Sequence, residues 1–245
     1  MATDRAGATN LRRFDAVLFD LDGTLIHSSP DLVIAVEQML DRLDRPVPDP
    51  ATIETWVGKG IPRLVHRALT GDPSADAPPG LHAQALQVFE RCYAAQSGLA
   101  TTVYPGVPEA LDALMAAGVP LACVTNKSRR FTIDLLERFD LARRLAVVVT
   151  PDDARARKPD PAPLHLALAQ LGALRGGGPI TAARAVMIGD SDNDAMAARR
   201  AGCAAWCVPY GYREGAAVED LCADRIVADI AEAGRLVLGL ERLDD

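Results

Sequence analysis

Five short apolar runs with helical patterns between them restrict the fold more than any other feature of this chain. AVLFDLDGT (16–24), VPLACV (119–124), LAVVV (145–149), AVMI (185–188) and CAAWCV (203–208) carry continuous rather than alternating apolar residues. Strands buried on both faces read this way. Residues 107–117, 128–139, 161–171 and 192–201 show helical periodicity, with caps or proline at their starts and glycine near several ends. Strands alternating with helices of this length predict an α/β fold, a doubly wound parallel sheet with right-handed crossovers.

The first two strands, however, stand some 80 residues apart. Segments 30–43, 61–70 and 81–96 look helical and are joined by the loops PVPDPAT and GDPSADAPPG, with no good strand among them. One crossover does not need such length, so 26–104 is read as an inserted α-helical cap closing over the sheet's carboxyl edge. The expected division is a loose arm at 1–13, a Rossmann-like core at 14–25 and 105–245, and the cap at 26–104. GGGP (176–179) reads as a surface insertion before the fourth strand.

Composition narrows the function. With 245 residues, 49% hydrophobic and 24% charged, the chain is an ordinary globular one. Its formal net charge of −7 and lack of a basic tract argue against nucleic acid and anionic membrane as partners. No apolar run approaches the ~18–20 residues of a membrane span, and no secretory leader is evident. Cys92, Cys123, Cys203, Cys207 and Cys222 form no CxxC pair and read as reduced thiols. A cytoplasmic protein, monomer or homodimer, is expected.

Ligand sites of open parallel sheets lie outside the carboxyl ends of the strands. Four such ends carry reactive polar residues: Asp20-Leu-Asp22-Gly-Thr24, Thr125-Asn126, Lys158-Pro159, and Gly189-Asp190-Ser191-Asp192-Asn193-Asp194. Any one could be a helix cap; four at one edge call for chemistry. DLDGTL, VTNK, KPDP and IGDSDND, in this order and spacing, resemble the haloacid dehalogenase superfamily of Mg²⁺-dependent phosphatases. Within it, WVGKGIPRLVHRAL (56–69), the AAxxAGC that follows the fourth motif and YGYREG (210–215) resemble the bacterial phosphoglycolate phosphatase branch. The resemblance implies a helical-capped enzyme that hydrolyses 2-phosphoglycolate, a small phosphoester, with Mg²⁺.

The residues can also be read physically. A phosphate monoester dianion repels an attacking oxygen anion, so a catalyst must cancel charge and align the nucleophile. Asp20 is the candidate nucleophile, forming an aspartyl-phosphate, and Asp22 the candidate acid and base, kept protonated by neighbouring negative charge. This division of labour follows the family. Asp20, Asp22, Asp190 and Asp194 together would repel one another without a hard dication such as Mg²⁺. The family pattern makes Asp20 and Asp190 direct ligands and Asp22 a main-chain ligand, while Asp194 acts on bound water or on Lys158.

Thr125 and the Asn126 N–H would hold phosphate oxygens, with Gly23 allowing close backbone approach. Lys158 would screen Asp20 from the phosphate, and Thr24 would orient the turn. Lys127 reads as an exposed loop lysine, Arg155 and Arg157 as solvated, and Asp192 as a helix N-cap or surface residue. In the cap, Lys59 or Arg63 could meet a substrate carboxylate, or simply begin a surface helix. His27, His66, His82 and His165 are scattered, although His27 could face the cleft. Rival readings are a phosphatase or phosphomutase for another small phosphoester such as a sugar phosphate, and a receiver-type phospho-switch without substrate.

Overall fold

The computed structural model describes residues 14–212 and 217–241. The expected arm at 1–13 and the residues 213–216 of the YGYREG region lie outside them. In chain order the elements are β1 (Ala16–Phe19), β2 (Ile26–His27), α1 (Ser29–Arg42), α2 (Pro50–Glu54), α3 (Ile61–Thr70), α4 (Pro79–Gln96), β3 (Thr102–Val103) and α5 (Val107–Ala116). They continue with β4 (Leu121–Val124), α6 (Arg129–Arg138), β5 (Val147–Val149), α7 (Pro151–Ala154), α8 (Ala162–Leu174), β6 (Ala185–Gly189), α9 (Asp192–Ala201), β7 (Ala204–Cys207), β8 (Arg225–Ile226) and α10 (Ile230–Val237).

Six strands form a parallel sheet in the order β5-β4-β1-β6-β7-β8. Side chains alternate faces along a strand, and β1 shows why its run is continuously apolar. Val17 and Phe19 pack with Leu111 and Leu114 of α5 and Ile230 of α10, whereas Ala16 and Leu18 pack with Leu164 and Leu168 of α8 and Ala198 of α9. Burial on both faces leaves the strands' carboxyl edge as the place where polar side chains can gather. β1 pairs through Leu18 with Ala122 of β4 and Met187 of β6, so the residues after β1, β4 and β6 emerge side by side.

Helices α1–α4 have an apolar cluster of their own, built from Val36, Met39, Ile53, Leu64, Phe89 and Tyr93 and joined by Phe131 of α6. The chain leaves and re-enters the sheet through the antiparallel pair β2–β3, with Ile26 opposite Val103 and His27 opposite Thr102. Asp31, in the first turn of α1, fastens the return path. Its carboxylate accepts from Gln96 Nε2, the Gly98, Ala100 and Thr101 backbone N–H groups and the Thr101 hydroxyl. Burial alone would raise its pKa, but these donors outweigh it and hold the pKa below the usual value.

The structure departs from the sequence reading in short elements. β2 and β3 stand where no strand was expected, and two residues leave no period to detect. PVPDPAT hides the start of α2: Asp49 caps the Ala51 N–H and Pro50 takes the first helical position, which proline tolerates. β8 and α10 were not anticipated. Among the described residues, no helix is long and apolar enough to cross a membrane, and all five cysteines are free.

Candidate active site

The ends of β1, β4 and β6 and the loop before α8 converge on a cavity of about 230 Å³ beneath the helical layer. Asp20, Asp22, Thr125, Asn126, Lys158, Asp190 and Asp194 all line it. The Lys158 side chain is 2% exposed, and its Nζ lies 2.7 Å from Asp20 Oδ1 and 2.6 Å from Asp194 Oδ1. It also donates to the Val124 carbonyl. Asn126 fixes this lysine's backbone, with Oδ1 accepting from the Lys158 N–H at 2.8 Å and Nδ2 donating to the Lys158 carbonyl at 2.9 Å. That clamp is the structural role of the Asn126 side chain. The Thr125 hydroxyl accepts from the Lys127 N–H at 3.1 Å.

Asp194 completes a capping box for α9, its Oδ2 accepting from the Ser191 N–H and hydroxyl. The N-cap is therefore Ser191, and Asp192 is an exposed residue in the first turn. Asp190 sits in a slot walled by glycine. A Cβ on Gly211 would come within 2.1 Å of the Asp190 Cβ, and one on Gly23, whose φ is +83°, within 2.5 Å of Asp190 Oδ2. Gly23 thus makes room for a carboxylate. Thr24, buried, donates its hydroxyl to Asp190 Oδ1 at 2.9 Å, and the Tyr212 N–H donates to Oδ2 at 2.7 Å.

These carboxylates are short of positive charge. Burial pushes Asp20 up to about 7 despite the pull of Lys158, with Asp194 and Asp22 adding to the rise. Burial likewise lifts Asp190 well above the carboxylate range, helped by the charges of Asp194 and Asp20. Asp20, Asp190 and Asp194 each offer an oxygen within 4.8 Å of the others. Asp20 Oδ1 is buried with no aligned hydrogen-bond donor, so its contact with Lys158 is an ion pair only. An oxygen-only donor set with uncompensated charge fits a hard dication such as Mg²⁺. Asp194 already gives one oxygen to Lys158 and the other to the helix cap, which leaves Asp20 and Asp190 as the side chains best able to ligate.

Asp22 differs from its expected setting. Its nearest charge is positive: Lys127 Nζ lies 2.9 and 3.2 Å from its two oxygens, and the Ser28 hydroxyl donates to Oδ1. Lys127, read from sequence as an exposed loop lysine, is buried and lines the cavity. Its ammonium lies 5.0 Å from the centroid of the Tyr93 ring of α4. Burial would lower its pKa, but Asp22 and then Tyr93 more than offset this and keep it charged. Its position directly after the β4 edge was the signal that could have found it.

The residues of the inserted helical segment expected to read a carboxylate are placed elsewhere. Arg63 donates to Asp76 Oδ1 and the Pro73 carbonyl, each at 2.6 Å. Ile61 and Leu64, three apart on α3, take the cavity face. Lys59 is exposed on the preceding loop and does not line the cavity. Arg157, expected to be solvated, is exposed at the cavity wall. His27 lies in β2, its Nδ1 3.2 Å from the Tyr212 hydroxyl, and does not line the cavity. Tyr212 was missed as a contact: its phenol oxygen accepts the Ser28 and Ser29 N–H groups at 2.7 and 2.8 Å.

The chain is similar to known proteins over most of its length. The family model of haloacid dehalogenase-like hydrolases matches residues 14–202. A phosphoglycolate phosphatase of Thiobacillus denitrificans is 42% identical over 222 residues, covering 91% of this chain and 95% of its own. One from Chromobacterium violaceum is 41% identical over 223 residues, covering 91% and 96%. Among solved structures, that of a predicted phosphoglycolate phosphatase from Haemophilus somnus superposes with a TM-score of 0.80 at 29% identity, covering 91% of this chain and 97% of that one.

Proposed function

This chain belongs to the haloacid dehalogenase-like hydrolases, and from that premise we propose that it is a Mg²⁺-dependent phosphatase that hydrolyses 2-phosphoglycolate through an aspartyl-phosphate on Asp20. The observation that carries the reading is the shared Lys158 ammonium, 2.7 Å from Asp20 and 2.6 Å from Asp194, in the cavity at the carboxyl edge of the parallel sheet. It holds a buried carboxylate next to the space a phosphoryl group would fill and screens their mutual repulsion. Relatives bearing the name phosphoglycolate phosphatase support the substrate.

In the first step an Asp20 oxygen attacks phosphorus, the bond to the glycolate oxygen breaks, and Asp22 gives its proton to the departing alkoxide. In the second, Asp22 takes a proton from water, whose oxygen displaces Asp20 and releases phosphate. Thr125 and the Asn126 N–H hold the nonbridging oxygens. Asp20 and Asp190, with the Asp22 main-chain oxygen, would hold Mg²⁺, which when bound supplies the positive charge that ionises Asp20 and offsets the phosphate. Ser28 and Lys127 orient the Asp22 carboxylate between them. We read residues 26–104 as the cap that excludes bulk water.

Glu90 of α4 also lines the cavity and could accept sugar hydroxyls, so a sugar phosphate is the second reading, by hydrolysis or by transfer to a second hydroxyl. A panel of small phosphoesters with Mg²⁺ and product identification tests both. Asp20→Asn, nearly isosteric but without a nucleophilic oxygen, should fold and show no turnover. Comparable turnover in wild type and the folded variant would remove Asp20 from the mechanism.

A further inference from the structure

We infer that Lys127 is the residue that selects the substrate by its carboxylate, reading it from the β4 edge rather than from the cap; this rests on the phosphoglycolate reading above. The leaving oxygen must face Asp22 to be protonated. In phosphoglycolate the carboxylate is attached one carbon beyond that oxygen, so whatever neighbours Asp22 on the cavity side meets the carboxylate. Lys127 is that neighbour: its Nζ lies 2.9 and 3.2 Å from the Asp22 oxygens, and the residue lines the cavity.

Lys127, Lys158 and Arg157 are the cations that line the cavity; Lys127 is the one paired with Asp22, whereas the Arg157 guanidinium is exposed and donates to the Asn126 carbonyl at 3.4 Å. Lys158 is held by Asp20, Asp194 and the Val124 carbonyl. Arg63 is turned into the cap against Asp76. The charged cap side chain on the cavity is Glu90, which repels a carboxylate. An ammonium has three donors and no acceptor, so engagement of Asp22 leaves donor capacity for a second anion. The Tyr93 ring, 5.0 Å from Nζ, fixes it from the α4 side and adds attraction without using a carboxylate. Lys127 thus ties the cap's longest helix to the specificity of the core.

The test compares kcat/KM for 2-phosphoglycolate with that for ethylene glycol monophosphate, which carries a neutral hydroxyl in place of the carboxylate, in wild type, Lys127→Met and Lys127→Arg. Losing one partner of a desolvated charge pair should cost about 30-fold or more. Lys127→Met should therefore reduce the preference for phosphoglycolate by that factor, chiefly through KM, and Lys127→Arg should retain much of it. The inhibition constant of 3-phosphonopropionate, measured against propylphosphonate, should change in parallel without turnover. Should Lys127→Met fail to fold, Lys127→Gln, which still donates to Asp22, carries the same comparison. Equal losses for both substrates would show that Lys127 serves only Asp22 and overturn the inference. A wild type without preference for phosphoglycolate would overturn the substrate reading, and the inference with it.

Discussion

Binding of Mg²⁺ should release more protons at pH 6 than at pH 8, because the metal-free site holds Asp20 largely protonated at the lower pH and largely ionised at the higher one. Burial sets the Asp20 pKa at about 7 against an ordinary 3.8. An acid at about 7 carries about 0.9 proton at pH 6 and about 0.1 at pH 8, and ligation requires the carboxylate. Asp190, also raised, adds to the release. The apparent affinity should rise with pH, by at least about tenfold per unit below 7, where Asp20 must lose its proton to ligate. The stability consequence has the same origin. A carboxyl whose pKa is raised by folding makes the folded state bind the extra proton, so its penalty is absent below the unfolded value and complete above the folded one. The metal-free protein should lose melting temperature as pH rises from about 4 through 7, and Mg²⁺ should restore more at pH 8 than at pH 5. Calorimetric titration in two buffers of different ionisation enthalpy measures the protons directly. Release that is nil at pH 6, or equal at the two pH values, would refute the account.

Three further outcomes are expected. Lys158→Ala should lower kcat by ~10²–10³-fold and move the rising limb of its pH profile to higher pH, since Asp20 loses the cation that favours its ionised form; an unmoved limb would mean that Lys158 does not act on Asp20. Arg63→Ala should leave kcat/KM for phosphoglycolate within about twofold, as expected of a partly exposed ion pair inside the cap, and a large loss specific to that substrate would return the carboxylate to Arg63. Tyr212→Phe leaves the Ser28 and Ser29 N–H groups without their acceptor and should lower stability by about 1–3 kcal/mol, measured by denaturant unfolding with the slope unchanged.

The parts legible in the sequence are those set by local pattern. Parallel strands buried on both faces declare themselves, as AVLF and AVMI did, and α3 and α9 begin and end where proline, Ser191 and glycine place them. The carboxyl-edge motifs were readable because the parallel topology sends every such residue to one edge. Burial of a polar side chain was not readable, since it depends on distant segments. Lys127 has Tyr93 and Asp22 beside its ammonium, and both come from segments far from it in sequence. Arg63 failed for the converse reason. Its sequence position fits a substrate contact, but Asp76 and Pro73, brought back by the loop before α4, meet its guanidinium first.

The charge arrangement explains why the two buried lysines are not interchangeable. Lys158 serves Asp20 and Asp194, Lys127 serves Asp22, and Asp190 meets the neutral donors of Thr24 and Tyr212. Four ionised carboxylates against two ammonium groups would leave a formal −2, the charge that one dication cancels. The deficit is not spread evenly: it falls on Asp190 and Asp20, whose pKa values are raised. Asp190 is also the carboxylate held between Gly23 and Gly211, where no larger residue fits. In the proposed mechanism a dication would therefore sit on the Asp20 and Asp190 side, with Lys127 on the Asp22 side, where the leaving group would depart. On that reading, loss of Lys158 would leave the Asp20 charge unscreened and should act on every phosphoester alike, whereas loss of Lys127 should act on whatever the leaving group carries.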